Sequence, residues 1–250
     1  MTLLGPTDPA PFRFINPAGK SPFLLLGDHA GNEVPAKLVR LGLDEAELGR
    51  HIALDVGVSA LGARLAELLD ACFIEQRYSR LVVDCNRHAG AADAMAARSD
   101  GRGVPANRDM APADRAERLA EIYEPYHCAI AETLAARKRA SQPTVLVALH
   151  SFTPSMAGVA RPWDIGVLYD GGNIAFALAA LAALHAAPGI CIGDNEPYRM
   201  DDTDYTVPHH AFPTAMPYVE LEVSQRRLAG DVGIAEMADV VAAVLVKAIA

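Results

Sequence analysis

Two histidines in this chain follow apolar runs typical of buried strands and precede loop-forming residues. His29 follows the leucines of "LLLGDH", and His150 ends "TVLVALH". Two histidines and one carboxylate are the usual protein ligands of a catalytic zinc ion, which keeps a further position open for water. Either histidine alone would more often be a hydrogen-bonded structural residue. The pair therefore predicts a divalent metal site, and zinc is the metal we expect.

Two acids compete for the third ligand position. Asp55 lies in the apolar stretch "HIALDVGV", where an unpaired carboxylate would be costly to bury. Glu33 lies four residues after His29. The alternative for Asp55 is a partly exposed helix residue in a salt bridge with Arg50 or His51. The residue pattern alone leaves these possibilities open.

A third chemical feature is the pair of glutamates in "YVELEVSQ". Glu220 and Glu222 alternate with apolar residues, so both side chains are expected on one face of a strand. Glu222 lies nearer the expected carboxyl end, where it would serve as a general base for an attacking water. An edge strand with one solvated face would carry the same pattern without a catalytic role.

The stretch "YSRLVVDCNR" supplies candidates for binding an anionic substrate. We interpret it as a strand with Arg80 at its start and Asn86 and Arg87 at its end. An arginine donates two parallel charged hydrogen bonds to a carboxylate and is therefore a natural clamp for one. An ordinary salt bridge, for example with Asp84, is the alternative.

Two segments are interpreted as loops that close over the substrate. Residues 88–113 contain Arg98, Arg102 and Arg108, and residues 194–210 form the second loop. The second loop holds the remaining candidates for substrate binding, which are Asn195, Tyr198 and His209. A basic pocket in an acidic protein would suit a small anionic substrate.

The elements that must position these residues alternate along the chain. Strands are predicted at 22–29, 72–87 (two short strands or one bent strand), 144–152, 163–170, 189–198 and 217–225. Helices are predicted at 43–71, 114–139, 173–187 and 231–249, and a polar loop at 199–216. Helices between continuous apolar strands favour an α/β fold with a mostly parallel sheet covered on both faces. Without internal repeats or a linker, we predict one domain over residues 1–250. Sites in such sheets form outside the carboxyl ends of the strands.

Composition narrows the class of protein. The chain has 31 acidic against 22 basic residues, which argues against nucleic-acid binding. It has no uncharged apolar stretch of about 18 residues, so we expect no membrane span, and its first residues lack the features of a signal peptide. The four cysteines contain no CxxC pair. They are typical of reduced residues in a cytoplasmic protein. A homo-oligomer is left open.

Five motifs, in order, carry a resemblance to a known family. They are "DHAGNEVP", "SRLVVDCNR", "ALHSFTP", "GDNEPY" and "ELEVSQ", between about residues 20 and 228. Together they resemble the N-formylglutamate amidohydrolase family, which belongs to the zinc-dependent exopeptidase-like superfamily. The resemblance implies a three-layer α/β/α sandwich around a mixed sheet, of the phosphorylase/hydrolase-like kind. It also implies hydrolysis of a linear N-acyl amide: N-formyl-L-glutamate and water give formate and L-glutamate, a step of histidine degradation.

The aspartoacylase and succinylglutamate desuccinylase group is similar in one region. That group has an arginine that polarises the substrate, followed by Asn-Arg for its carboxylate, and the resemblance implies these roles for Arg80, Asn86 and Arg87. The group also uses a His-x-x-Glu zinc pair. Here Asn32 holds that offset and Glu33 comes one residue later.

The zinc muramoyl-alanine amidases are similar in the layout of the metal ligands. Their pattern is a histidine, a carboxylate on the following helix, the histidine of an "LH" pair, and a catalytic glutamate near the C-terminal end. That layout implies His29, Asp55 and His150 as ligands and Glu222 as the base, with Glu33 in reserve.

Two other functions compete with this interpretation. One is a zinc deacylase or carboxypeptidase acting on another N-acyl amino acid or peptide, and the other is a non-catalytic homologue that binds a metabolite. A Ser-His-Asp hydrolase is disfavoured because no GxSxG motif occurs, although Ser151 follows His150. Within the preferred interpretation, Asp28 is expected to accept a hydrogen bond from His29 and fix its tautomer.

Overall fold

A computed structural model describes residues 2–250, in which strands and helices alternate. The strands are β1 (Phe12–Ile15), β2 (Phe23–Gly27), β3 (Cys72–Gln76), β4 (Arg98–Ser99), β5 (Arg102–Gly103), β6 (Val145–Phe152), β7 (Ser155–Met156), β8 (Val159–Ala160), β9 (Ile165–Leu168), β10 (Ile192–Asp194) and β11 (Tyr218–Ser224). The α-helices are α1 (Glu45–Leu48), α2 (Val58–Leu69), α3 (Pro112–Arg118), α4 (Glu124–Arg139), α5 (Ala175–His185), α6 (Thr206–Ala211) and α7 (Gly230–Ile249). A π-helical turn, Leu119–Tyr123, joins α3 to α4.

Seven of the strands form one sheet in the order β1-β3-β2-β6-β11-β9-β10. Four neighbouring pairs are parallel, and the pairs β1–β3 and β11–β9 are antiparallel. The remaining strands form the hairpins β4–β5 and β7–β8. The predicted α/β class with a mostly parallel mixed sheet is confirmed.

The continuous apolar run of β2 is explained by helices on both faces of the sheet. Leu25 points into a core shared with α2, α5 and α7, while Leu24 and Leu26 point into a second core shared with α4. All three leucines are fully buried. Because burying a leucine side chain stabilises the fold by about 1.5–3 kcal/mol, a strand between two helical layers gains from apolar residues at every position.

The helix predicted over 43–71 is interrupted. Asp44 caps α1, since its side chain accepts from the Glu47 N–H, but α1 ends at Leu48. Gly57, at φ 88°, begins α2 from a left-handed conformation that favours glycine. Asp55 therefore lies in the irregular segment between α1 and α2, where its N–H donates to the carbonyl oxygen of His29 over 2.8 Å. This hydrogen bond places Asp55 beside the carboxyl end of β2.

For the second half of residues 72–87, the prediction of a strand is wrong. The chain leaves the sheet after β3 and forms turns through residue 87. Leu81, Val82 and Val83 are buried in the second core without pairing to another strand. An apolar run indicates burial, and here the buried apolar residues lie in a turn rather than in a paired strand.

The polar loop predicted at 199–216 contains a helix. α6 begins where the N–H groups of Tyr205 and Thr206 both donate to the side-chain oxygen of Asn86, each over 2.9 Å. A side chain some 120 residues away in sequence thus satisfies N–H groups at the start of the helix. The local pattern could not show this contact. Of all the helices in residues 2–250, none is long and apolar enough to cross a membrane.

Gly31, in the turn after β2, allows a close approach of two backbone segments. A Cβ at this position would lie 2.0 Å from the carbonyl oxygen of Arg77. We expect Gly31→Ala to lower the free energy of unfolding by roughly 1–3 kcal/mol, because the segments must separate. Gly49→Ala is the control: its Cβ would lie 3.5 Å from the nearest atom, and a change within about 0.5 kcal/mol is expected. Urea unfolding measures both variants, and equal stabilities would contradict this packing.

Candidate metal centre and active site

Three buried side chains meet at the carboxyl ends of β2 and β6. His29, Asp55 and His150 each offer one possible ligand atom, and these atoms all lie within 4.8 Å of one another. One carboxylate oxygen of Asp55 lies 2.9 Å from Nδ1 of His150 and 3.5 Å from Nδ1 of His29. Both imidazoles therefore turn the same nitrogen toward the same oxygen.

The other ring nitrogens face carboxylates. Nε2 of His29 lies 2.6 Å from Oδ1 of Asp84, and Nε2 of His150 lies 3.6 Å from Oδ2 of Asp28. Asp28 is itself held by the hydroxyl of Tyr126, which donates to Oδ1 over 2.7 Å. The expectation that Asp28 fixes His29 is wrong. Asp84 holds His29, and Asp28 faces His150, because consecutive residues at a strand end point in different directions.

Arg80 donates hydrogen bonds to two carboxylates of the centre, those of Asp84 and Asp55. Its Nε and Nη2 donate to Oδ2 of Asp84 over 3.1 and 2.8 Å, and its Nη1 donates to Oδ1 of Asp55 over 3.3 Å. Burial raises the pKa of Asp84, but Arg80 and His29 outweigh it and hold that pKa well below its ordinary value. Asp84 is thus an ionised acceptor for His29.

The charges and donors of the centre suit a divalent cation. Asp28, Asp55 and Asp84 are all buried, and their pKa values are lowered despite burial by the neighbouring basic groups. Burial and Arg80 lower the pKa of His29, yet Asp84 and Asp55 raise it overall, so the pocket favours positive charge. Nδ1 of His29 is buried and has no hydrogen-bond partner among the described residues. Two imidazole nitrogens and a carboxylate oxygen are a donor set that zinc and several related metals accept.

Glu222 lies beside this centre on β11, opposite His150 of β6. Its Oε2 is buried without a hydrogen-bond partner in the described part of the chain. Burial, together with the Asp55 charge, raises the pKa of Glu222 to about 7, against the opposing effect of His150. Burial also raises the pKa of Glu220 well above its ordinary value, with Asp204 and Glu222 adding to the effect. Both glutamates line the same cavity, so the edge-strand alternative is wrong: β11 lies between β6 and β9.

A cavity of about 530 Å³ opens onto the centre. The candidates that line it are His29, Asp55, Arg80, Asn86, Arg87, His150, Tyr198 and Glu222. Glu33 does not line it: it is exposed, and its backbone pairs with Tyr78. The geometry therefore places Asp55 rather than Glu33 with the two histidines.

Asn195 and His209 also lie outside this cavity. β9 and β10 run antiparallel to β11, so Asn195, directly after β10, emerges at the opposite end of the strands. The chain reaches the cavity only from Tyr198 onward. Asn195 borders a second cavity, and its side-chain oxygen accepts from the N–H of Tyr169. His209 lies on the exposed side of α6, stacked on Tyr205.

Asn86 and Arg87 line the cavity, but the fold already uses their polar groups. The Asn86 oxygen accepts from the start of α6, and its Nδ2 donates to Asp204 over 3.1 Å. Arg87 pairs with Asp93 at 3.1 Å and donates to the carbonyl oxygens of Asn86 and Thr203. These contacts hold the 203–206 segment against the turn after β3.

Sequence reasoning missed three features of the site. It named Asp84 only as a possible salt-bridge partner in an alternative interpretation, whereas Asp84 also faces His29, 55 residues away. It gave Glu220 no role, although the alternation with Glu222 already indicated a shared face. It did not single out Arg161, whose guanidinium contacts Tyr198 at the cavity wall. No local signal marked Arg161, because its partner comes from a distant segment.

The contact between Asp84 and His29 has a testable consequence. In Asp84→Asn the amide no longer supplies the charge that holds the His29 N–H, so we expect divalent-metal affinity to fall about 10–100-fold. Metal titration of the apoprotein measures the change. Asp93→Asn, which alters an exposed partner of Arg87, is the control. Unchanged affinity in Asp84→Asn would contradict the orienting role of Asp84.

Together, the fold and the buried His-Asp-His group define a three-layer α/β protein with a site able to hold a divalent metal. The model of the N-formylglutamate amidohydrolase family matches residues 21–229. The chain belongs to this family.

Solved structures show the same fold. A gene product of Agrobacterium tumefaciens is 32% identical, with 99% of this chain and 98% of that chain covered and a TM-score of 0.95. The N-formylglutamate amidohydrolase of Ralstonia eutropha is 18% identical, with coverage of 96% and 97% and a TM-score of 0.67, so it supports the fold. A comparison with curated proteins gives no match.

Proposed function

We propose that this protein is a metal-dependent amidohydrolase that cleaves N-formyl-L-glutamate into formate and L-glutamate. The observation that carries the proposal is the position of Glu222, whose buried Oε2 has no hydrogen-bond partner within residues 2–250 and which faces the same cavity as the His29, Asp55 and His150 group. Family membership supports amide hydrolysis as the reaction class. The substrate, the metal and the residue roles are parts of the proposal.

In this proposal His29, Asp55 and His150 hold the metal, and zinc is the metal we favour. When bound, such an ion supplies Lewis acidity toward the acyl carbonyl and lowers the pKa of water in the site. Asp84 is proposed to hold the His29 imidazole through Nε2, which leaves Nδ1 of that ring for the metal, while Asp28 faces Nε2 of His150 at 3.6 Å.

Glu222 is proposed to move the protons of the reaction. Its pKa of about 7 places it near neutrality, where one carboxylate can both accept and return a proton. Oε2 accepts the proton of the attacking water and then delivers it to the nitrogen of the departing glutamate amine. Burial keeps the carboxylate from exchanging that proton with bulk solvent during the step.

Arg80 is proposed to bind the acyl oxygen. Its contacts with Asp84 and Asp55 use three of its N–H groups, and a guanidinium has five. The side chain lines the cavity and keeps 26% of its surface exposed. The remaining N–H groups would stabilise charge that develops on the carbonyl oxygen.

The products fit a step of histidine degradation, and we propose this role with a cytoplasmic location. All four cysteines are free, as is usual in a reducing compartment. A cavity of about 530 Å³ also admits longer acyl groups, so a deacylase acting on another N-acyl amino acid is the second candidate. Release of formate, acetate and succinate from the matching N-acyl glutamates discriminates between them. Preference for formyl supports the proposal, and hydrolysis confined to acetyl or succinyl substrates contradicts it.

A further inference from the structure

Tyr198 and Arg199 form one wall of the cavity. The Tyr198 hydroxyl and the Arg199 guanidinium do not donate hydrogen bonds to other described residues. Tyr198 and Arg199 are neighbours in the segment between β10 and α6, and both line the cavity. Tyr198 is 40% exposed, so its ring and hydroxyl are accessible from the cavity.

The hydroxyl of Tyr198 is held in one orientation by Arg161. Nη1 of Arg161 donates to the Tyr198 oxygen over 2.8 Å, and the guanidinium carbon lies 4.7 Å from the ring centroid. The same Nη1 lies 3.3 Å from Oγ1 of Thr153. Because the phenol oxygen accepts from Arg161, its own O–H remains available as a donor, and it has no acceptor among the described residues.

The positive charges at this wall are also not neutralised by the fold. Four arginines line the cavity, and two of them are paired: Arg80 with Asp84 and Asp55, and Arg87 with Asp93. In the described part of the chain, neither Arg199 nor Arg161 lies within ion-pair distance of a carboxylate. An anionic ligand binds best where a cation is not already paired, because otherwise it must displace an internal carboxylate.

Arg98 is the fourth arginine, and it too has no carboxylate partner within residues 2–250. It lies on the hairpin β4–β5, and its Nε donates to the carbonyl oxygen of Gly101 over 3.2 Å. Its neighbour Ser99 also lines the cavity, but no side chain among the described residues orients the Ser99 hydroxyl, whereas Arg161 holds the hydroxyl of Tyr198, the neighbour of Arg199. A carboxylate is recognised most strongly by two donors that converge on its two oxygens.

We propose that Tyr198 and Arg199 bind a carboxylate of the substrate, and that Arg161 is the positioning residue that fixes the Tyr198 hydroxyl. The inference rests on the proposed function for the nature of the substrate, an N-acylated dicarboxylic amino acid. It replaces Asn86 and Arg87 as the principal carboxylate clamp. Those two residues instead hold the 203–206 segment, which continues from the Tyr198–Arg199 wall.

Binding of glutarate to the metal-loaded protein tests the proposal without requiring turnover. Glutarate has two carboxylates and no amide bond, and isothermal calorimetry gives its Kd. We expect Arg199→Gln to raise Kd by at least about 10-fold and Tyr198→Phe by about 5–10-fold, since each removes a hydrogen bond to a charged group. Glutarate monoamide should bind more weakly than glutarate to the unchanged protein and should lose less affinity in Arg199→Gln.

Arg98→Gln is the matched variant, because it removes another unpaired arginine from the same cavity; we expect less than about a 2-fold change in Kd. An equal loss in Arg98→Gln, an unchanged Kd in Arg199→Gln, or no measurable glutarate binding would overturn the proposal. These outcomes are independent of formate release, so failure of the proposed function and failure of this site are distinguishable.

The positioning role of Arg161 is tested by combining variants. Arg161→Met should weaken glutarate binding as Tyr198→Phe does. The double variant should bind no worse than Tyr198→Phe alone, because Arg161 acts through the hydroxyl. Losses that multiply in the double variant would show an independent effect of Arg161 and would overturn its positioning role.

Discussion

Replacing Glu222 by glutamine is expected to lower kcat for N-formyl-L-glutamate by about 10²–10⁴-fold, the usual contribution of a general acid–base residue. Glutamine keeps the shape of the side chain but cannot accept a proton near neutral pH. Metal content should stay full, because Glu222 is not one of the three side chains that converge on the metal site. A steady-state assay of formate release combined with metal analysis separates the two effects.

The control for Glu222 is Glu33→Gln, which makes the same chemical change on an exposed residue outside the cavity. It should leave both kcat and metal content unchanged. Near-normal turnover in Glu222→Gln would remove Glu222 as the base. Loss of metal in that variant would instead assign it to the metal site.

The second large effect is expected for His150→Ala. His150 is buried between Asp55 and Asp28, so its removal takes away one of the three proposed metal ligands and leaves two buried carboxylates without their imidazole. We expect metal affinity to fall by more than the roughly 10–100-fold that loss of an orienting partner costs. We also expect a loss of stability of about 3–5 kcal/mol, as for a broken buried ion pair.

Metal titration and urea unfolding of His150→Ala measure these two losses separately. His209→Ala is the matched control, since His209 lies on the exposed side of α6 outside the cavity. Full metal affinity in His150→Ala would exclude His150 from the metal site. An equal loss of affinity in His209→Ala would show that the placement of α6 is wrong.

The fold could be predicted from sequence wherever burial alone determines the element. β2 and β6 are fully buried strands with apolar side chains on both faces, so each appears as one continuous apolar run. The same signal failed at Leu81, Val82 and Val83, because these residues are buried by a turn rather than by strand pairing. Periodicity also did not show that α1 and α2 are separate helices, since the apolar residues Ile52 and Ala53 between them are buried as helix residues would be.

The candidate site was predictable to the extent that strand ends meet at one edge of a parallel sheet. This rule brings together His29, His150 and Glu222, which lie on or directly after the neighbouring strands β2, β6 and β11. It failed for Asn195, because strand direction is not encoded in an apolar run and β10 is antiparallel to β11. Contacts such as Asp84 with His29 depend on how separate turns pack together, which no local pattern specifies.

The proposal that the buried His-Asp-His group and Glu222 make this chain a metal-dependent N-formylglutamate hydrolase can be tested with the purified protein. Formate release from N-formyl-L-glutamate is measured before and after metal removal and again after zinc is restored. We expect turnover to be lost with the metal and recovered with zinc. Full turnover by metal-free protein, or no formate release by zinc-loaded protein, would refute the proposal.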